Sequence, residues 1–156
     1  MDWAVVIVQW LHMLFGIFWF GGALFGNFVL GPVLLKQSPD RMRELALAVG
    51  EQADRVILPV AGLTIVLGFL RGTVFGPVRS VEFLFGTAYG ITWLVALLAA
   101  IGTLAWGYTT VRTMRRALLA GADITASAGT ALRNAGIELL GFAVILSCMV
   151  LMRFGL

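Results

Sequence analysis

The chain's one histidine, His12, stands in the stretch WLHMLFGIFWFGG, Trp10 to Gly22, among apolar and aromatic residues. On a helix, His12, Gly16, Trp19 and Ala23 fall along one face at i, i+4, i+7 and i+11. That face offers an imidazole, a glycine opposite which something flat or bulky could sit, and an indole about two turns deeper. Two chemistries suit it. Haem b would take His12 as an axial ligand beside Gly16 and Trp19, with Met, water or nothing on the far side of the iron. Copper(I) favours soft thiolate and thioether ligands alongside imidazole. The candidates for that set are Met13, next to His12, and Cys148 with Met152, one turn apart in SCMVLM. The alternative without a cofactor is a neutral imidazole hydrogen-bonded to a neighbouring helix, where Thr64, Thr92, Tyr89 and the Ile145–Cys148 stretch lie at similar depth.

Glu138 is the one Asp, Glu, Lys or Arg within an apolar segment, one turn after Arg133 and Asn134. Its expected partners are Asn27 or an arginine at the end of the third segment. A proton-coupled transporter would use such a carboxylate, since ionisable groups inside a membrane are costly and tend to mark function. The structural reading is a carboxylate that reaches the interface or is favoured by a helix N-terminus. Glu138 and His12 fall in opposite leaflets and do not form one acid–base site. The sequence holds no nucleophile–base pair, phosphate-binding glycine loop or acidic cluster for hard metals, so a hydrolase or nucleotide enzyme is not expected.

The elements that must position these residues are helices in a bilayer. Of the 156 residues, 60% are hydrophobic and 12% charged, against about a quarter charged in a soluble domain. Trp3–Leu35 carries no Asp, Glu, Lys or Arg, more than the roughly 20 apolar residues that span a membrane. Asp2 occupies the place of a basic n-region, and the apolar run far exceeds an h-region, so a cleaved signal peptide is not expected. Val56–Leu70, Phe83–Val111 and Asn134–Met152 are further apolar segments, the last interrupted only by Glu138. Backbone groups in lipid must be satisfied internally. The expected fold is therefore all-α: a single integral-membrane domain forming an antiparallel up-down four-helix bundle. Its helices are expected at about 3–35, 39–71, 83–119 and 127–153.

Basic residues set the orientation. Lys36, Arg41, Arg43 and Arg55 fall in the first connection and Arg112, Arg115, Arg116 and Arg133 in the third, against Arg71, Arg79 and Arg153 on the opposite side. The positive-inside rule puts both termini outside and the first and third loops in the cytoplasm of a prokaryotic plasma membrane. Ser38-Pro39 predicts a helix start, from which the second helix runs into the membrane with Glu51 and Arg55 paired at i,i+4. The third helix is expected to pass Arg116 and stop at Gly121–Asp123, giving helical extensions on the cytoplasmic side. Trp3, Trp10 and Trp106 are expected in the interfacial aromatic belt.

Gly22 and Gly26, Gly68 and Gly72, Gly72 and Gly76, and Gly86 and Gly90 are spaced by four. That spacing lets helix backbones approach closely within a bundle or across a dimer face. The lone Cys148 makes an intrachain disulfide impossible. The basic residues are scattered rather than interleaved with stacking aromatics, so no nucleic-acid partner is expected.

Trp10, Leu11, His12, Trp19, Gly21 and Gly22 carry a resemblance to the first helix of copper-resistance D (CopD)-like membrane proteins. HemJ-type protoporphyrinogen oxidases show a similar histidine–tryptophan spacing. The resemblance covers one helix. It implies a small four-helix membrane protein handling copper or haem, with His12 as the functional histidine. The HemJ pattern also implies a lysine in the later helices, whereas the only lysine here is Lys36. Three functions follow as expectations: a CopD-like protein binding copper or haem through His12, a non-catalytic membrane subunit or scaffold packing through its glycine faces, and a small proton-coupled transporter using Glu138. The expected partners are the lipid bilayer and a second copy of the chain or a larger membrane complex.

Overall fold

The computed structural model describes residues 2–121 and 128–155, and these are helical throughout apart from short connections, with no strand. Among the described residues are six α-helices: α1 Trp3–Phe25, α2 Gly31–Leu34, α3 Pro39–Gly72, α4 Val81–Gly86, α5 Ala88–Leu119 and α6 Ala128–Phe154. A π-helical turn, Gly26–Leu30, joins α1 to α2, so that Trp3–Leu34 runs as one rod. This rod, α3, α5 and α6 are four helices long and apolar enough to cross a membrane. The protein is an all-α integral membrane protein.

Local chemistry sets most of the helix ends. The Asp2 carboxylate accepts from the Ala4 amide at 3.0 Å and opens α1. Pro39 begins α3 as expected, although the Ser38 side chain makes no capping hydrogen bond. The third apolar segment departs from expectation, because it is broken at Thr87 rather than running on from Phe83. Thr87 is extended, donates to the Phe83 carbonyl at 2.7 Å and accepts from the Gly90 amide at 3.0 Å, thereby ending α4 and capping α5. Gly121 closes α5 with φ +77, a left-handed conformation that glycine adopts without steric cost. Ala122, Asp123 and the expected start of the fourth helix at 127 lie outside the described residues.

Successive long helices pack antiparallel. Between α1 and α3 the facing pairs run Gly22–Ile57, Gly16–Thr64, His12–Gly68 and Gln9–Arg71. Thr103 meets Gly141 between α5 and α6, and Trp93 of α5 packs on Gly72 and Phe69 of α3. At the centre Trp19, Ala61 and Phe142 are buried together, the two rings edge-on with centroids 5.0 Å apart. The α3 and α5 ends opposite His12 are tied by Arg43, which donates to the Leu119 carbonyl at 3.1 Å, and by an Arg115–Asp54 contact of 3.5 Å.

These contacts specify what the spaced glycines meet. Gly22 and Gly68 lie where α1 and α3 pack, and Gly72 where α3 meets α5. They seat side chains of the same chain: Ile57, His12 and Trp93 respectively. Gly76 turns back on the backbone of Arg71 and Gly72, and Gly90 on that of Phe83 and Leu84, so both serve chain turns. Gly26 and Gly86 face no neighbour within 4 Å among the described residues.

Candidate functional site: two polar positions inside the bundle

His12 is half-buried between α1 and α3. Its Nδ1 lies 2.9 Å from the Thr64 carbonyl oxygen. A carbonyl only accepts, so Nδ1 carries the proton and donates; in the neutral imidazole this leaves the Nε2 lone pair as the free acceptor. No hydrogen bond to Nε2 is present among the described residues. The Cε1 edge rests on Gly68, where a Cβ atom would stand 2.8 Å from Cε1. Thr64 spends its own hydroxyl on the Val60 carbonyl at 2.9 Å. The backbone of Thr64, rather than its side chain, therefore holds the imidazole. One turn toward the N-terminal end of α1, Arg71 donates through Nε to Gln9 Oε1 at 2.9 Å and through Nη1 to the Phe75 carbonyl at 2.9 Å. His12 thus lies one turn inside an arginine at the end of α3.

The rest of the expected cofactor face is packing. The notch at Gly16 is filled by Thr64, whose Cγ2 would stand 3.6 Å from an added Cβ, and Trp19 is buried against Phe142. A flat group held by His12 would therefore have to stand outside the α1–α3 contact rather than along Gly16 and Trp19. Met13 is 44% exposed on the outside of α1, and Cys148 is buried in α6. Among the described residues no three of His, Cys, Asp and Glu gather as a metal site. One axial imidazole is therefore what these residues offer a cofactor.

Glu138 meets the partner expected for it. Asn27 Nδ2 donates to Glu138 Oε2 at 2.8 Å, from the π-helical turn across to α6. Glu138 Oε1 faces Gly107 of α5, where an added Cβ would come within 3.4 Å. No ion pair to Glu138 occurs among the described residues. Beside Gly107, the Trp106 indole N–H is buried without a partner among the described residues, so this tryptophan does not present its polar edge as a belt residue would. A π-turn widens the helix by one residue and is common where a side chain must be aimed; here Asn27 is the residue carried on it.

Gly68 and Asn27's π-turn are the features that composition and spacing did not assign. Gly68 stood out only as half of a glycine pair, and nothing in GNFVLGPVL distinguishes a π-turn from an α-helix. Comparison with protein-family models, with curated proteins and with solved structures finds no match.

Proposed function

We propose that this integral membrane protein binds haem b through Nε2 of His12. The observation that carries the reading is the Nδ1–H···O=C bond to Thr64 at 2.9 Å. Metal-bound histidines commonly donate their second ring nitrogen to a carbonyl or carboxylate, which fixes tautomer and orientation and raises the basicity of the ligating nitrogen. Arg71, one turn away at the end of the helix, supplies the positive charge that haem propionates require. Haem would supply a one-electron iron centre, and the chain's part would be to hold it through Nε2 of His12 while the Thr64 carbonyl keeps the imidazole from rotating. The first-helix resemblance to CopD-like and HemJ-type proteins supports the same residue. The distribution of basic residues supports a plasma-membrane protein with His12 in the outer leaflet and the α3 and α5 extensions in the cytoplasm.

The test is the visible absorption spectrum of protein purified in mild detergent, before and after dithionite. A Soret band that sharpens on reduction, and that His12→Ala abolishes while helical content is retained, is the expected result. A Soret band unchanged in His12→Ala, or no band after reconstitution with haemin, would overturn the proposal. A second reading, proton handling at Glu138, is favoured by one observation: this carboxylate sits between helices with a neutral amide as its partner. It requires Glu138→Gln to abolish pH-dependent flux in proteoliposomes.

A further inference from the structure

At the α3–α5 end opposite His12, the two helices enclose an open groove of about 390 Å³, lined by Asp54, Tyr108, Arg112, Arg115, Arg116 and Leu119. Three guanidinium groups meet one carboxylate there. Asp54 engages Arg115 at 3.5 Å, and both side chains remain substantially exposed. Arg112 has no ion pair among the described residues and stands over the Tyr108 ring, 5.4 Å from its centroid. Arg116 has no carboxylate partner among the described residues. The other nearby acid that forms an ion pair, Glu51, is taken by Arg55 at 2.6 Å. Among the described residues the groove therefore carries more guanidinium than carboxylate charge.

What lies below the groove decides the source of the anion. Leu98, Ile101, Ala105, Tyr108, Arg112 and Arg115 recur at i, i+3, i+7, i+10, i+14 and i+17, so they share one face of α5. The apolar part of that face is open to the membrane, with Leu98 60%, Ile101 48% and Tyr108 39% exposed. A single helix face thus passes from bare hydrocarbon contact, through a tyrosine at the interface, into the arginines. A free phosphate would use only the upper half. A phospholipid would use all of it, and a basic pocket between membrane helices is the arrangement that holds an anionic headgroup.

We propose that this groove binds the phosphate of an anionic phospholipid, with Arg112 and Arg116 as its main donors and with the acyl chains lying on Leu98, Ile101 and Tyr108. Arg115 contributes less, because Asp54 competes for it. The site is independent of the haem proposal and lies at the other end of the bundle.

The experiment is native mass spectrometry of the full chain released from nanodiscs containing phosphatidylglycerol and phosphatidylcholine in equal amounts. Retention of phosphatidylglycerol over phosphatidylcholine is expected. Arg112→Gln with Arg116→Gln should weaken that preference about 30-fold, since each basic side chain near an anionic surface contributes about fivefold. Asp54→Asn should strengthen it by freeing Arg115. Arg79→Gln with Arg153→Gln, at the opposite end, should leave it unchanged, with circular dichroism confirming helix content in every variant. Equal retention of both lipids, or a double variant at Arg112 and Arg116 indistinguishable from the original chain, overturns the proposal. Displacement of the lipid by millimolar inorganic phosphate as readily as by phosphatidylglycerol micelles would also overturn it, by assigning the groove to a soluble anion.

Discussion

Gly68→Ala is the most informative substitution in the chain, because it acts on His12 without touching its chemistry. The new Cβ would stand 2.8 Å from Cε1 and 3.3 Å from Nδ1 of His12, so the imidazole has to move. Its movement breaks the hydrogen bond to the Thr64 carbonyl. Overpacking a filled site costs about 1–3 kcal/mol, and an interhelical hydrogen bond in a membrane averages about 0.6 kcal/mol. Against this, replacing a mid-helix glycine by alanine gains roughly 0.5–1 kcal/mol. The net effect is a loss of about 1–2 kcal/mol. In a His12→Ala background the obstruction is gone and only the helix gain remains, so Gly68→Ala becomes stabilising. The two substitutions should therefore couple by about 2 kcal/mol in a double-mutant cycle. Reversible unfolding in micelles, by steric trapping or sodium dodecyl sulfate titration, reads this directly. Equal stabilisation by Gly68→Ala in both backgrounds would refute the reasoning, since it would mean that glycine is not the seat of the imidazole.

Two other sites test the same packing logic. Gly72→Ala drives a Cβ into the buried indole of Trp93 and should cost about 3 kcal/mol. Trp93→Phe should restore part of the loss by removing the pyrrole edge that meets Gly72, and thermal unfolding followed by tryptophan fluorescence and circular dichroism checks both. At the other polar position, Asn27→Leu removes the donor to Glu138 and should destabilise by about 1–3 kcal/mol, the cost of stranding a buried polar group. Glu138→Gln preserves an acceptor for Asn27 and should stay within about 1 kcal/mol of the original chain; the reverse ranking in the same unfolding assay would show that the pair is not a buried contact.

The membrane class and the number of crossings were legible because a bilayer imposes a one-dimensional requirement: enough consecutive apolar residues, with their backbone bonded internally. Long uncharged runs meet it whatever their neighbours are. The Asn27–Glu138 pair was legible for a related reason, since few polar residues stand at that depth and each needs a partner. The break at Thr87 was not. Capping by Thr87 depends on an extended backbone at one residue inside an apolar run, and hydropathy does not register that. The glycines were read for spacing alone, which gives a face but not its occupant. Gly22, Gly68 and Gly72 proved to be recesses for Ile57, His12 and Trp93.

His12 shows where the division falls. Its isolation as the only histidine, its place on an apolar helix and the tryptophan two turns below it were determined by the order of residues. Which ring nitrogen is engaged, which is free, and that the Gly16–Trp19 face is closed were decided only when α3 packed antiparallel against α1. Helical spacing states which side chains share a face, because that is a property of one helix. Which atoms lie opposite them depends on the register between two helices, and that register is set by many small fits, Ile57 on Gly22, Thr64 on Gly16 and His12 on Gly68, none of which carries a local signature.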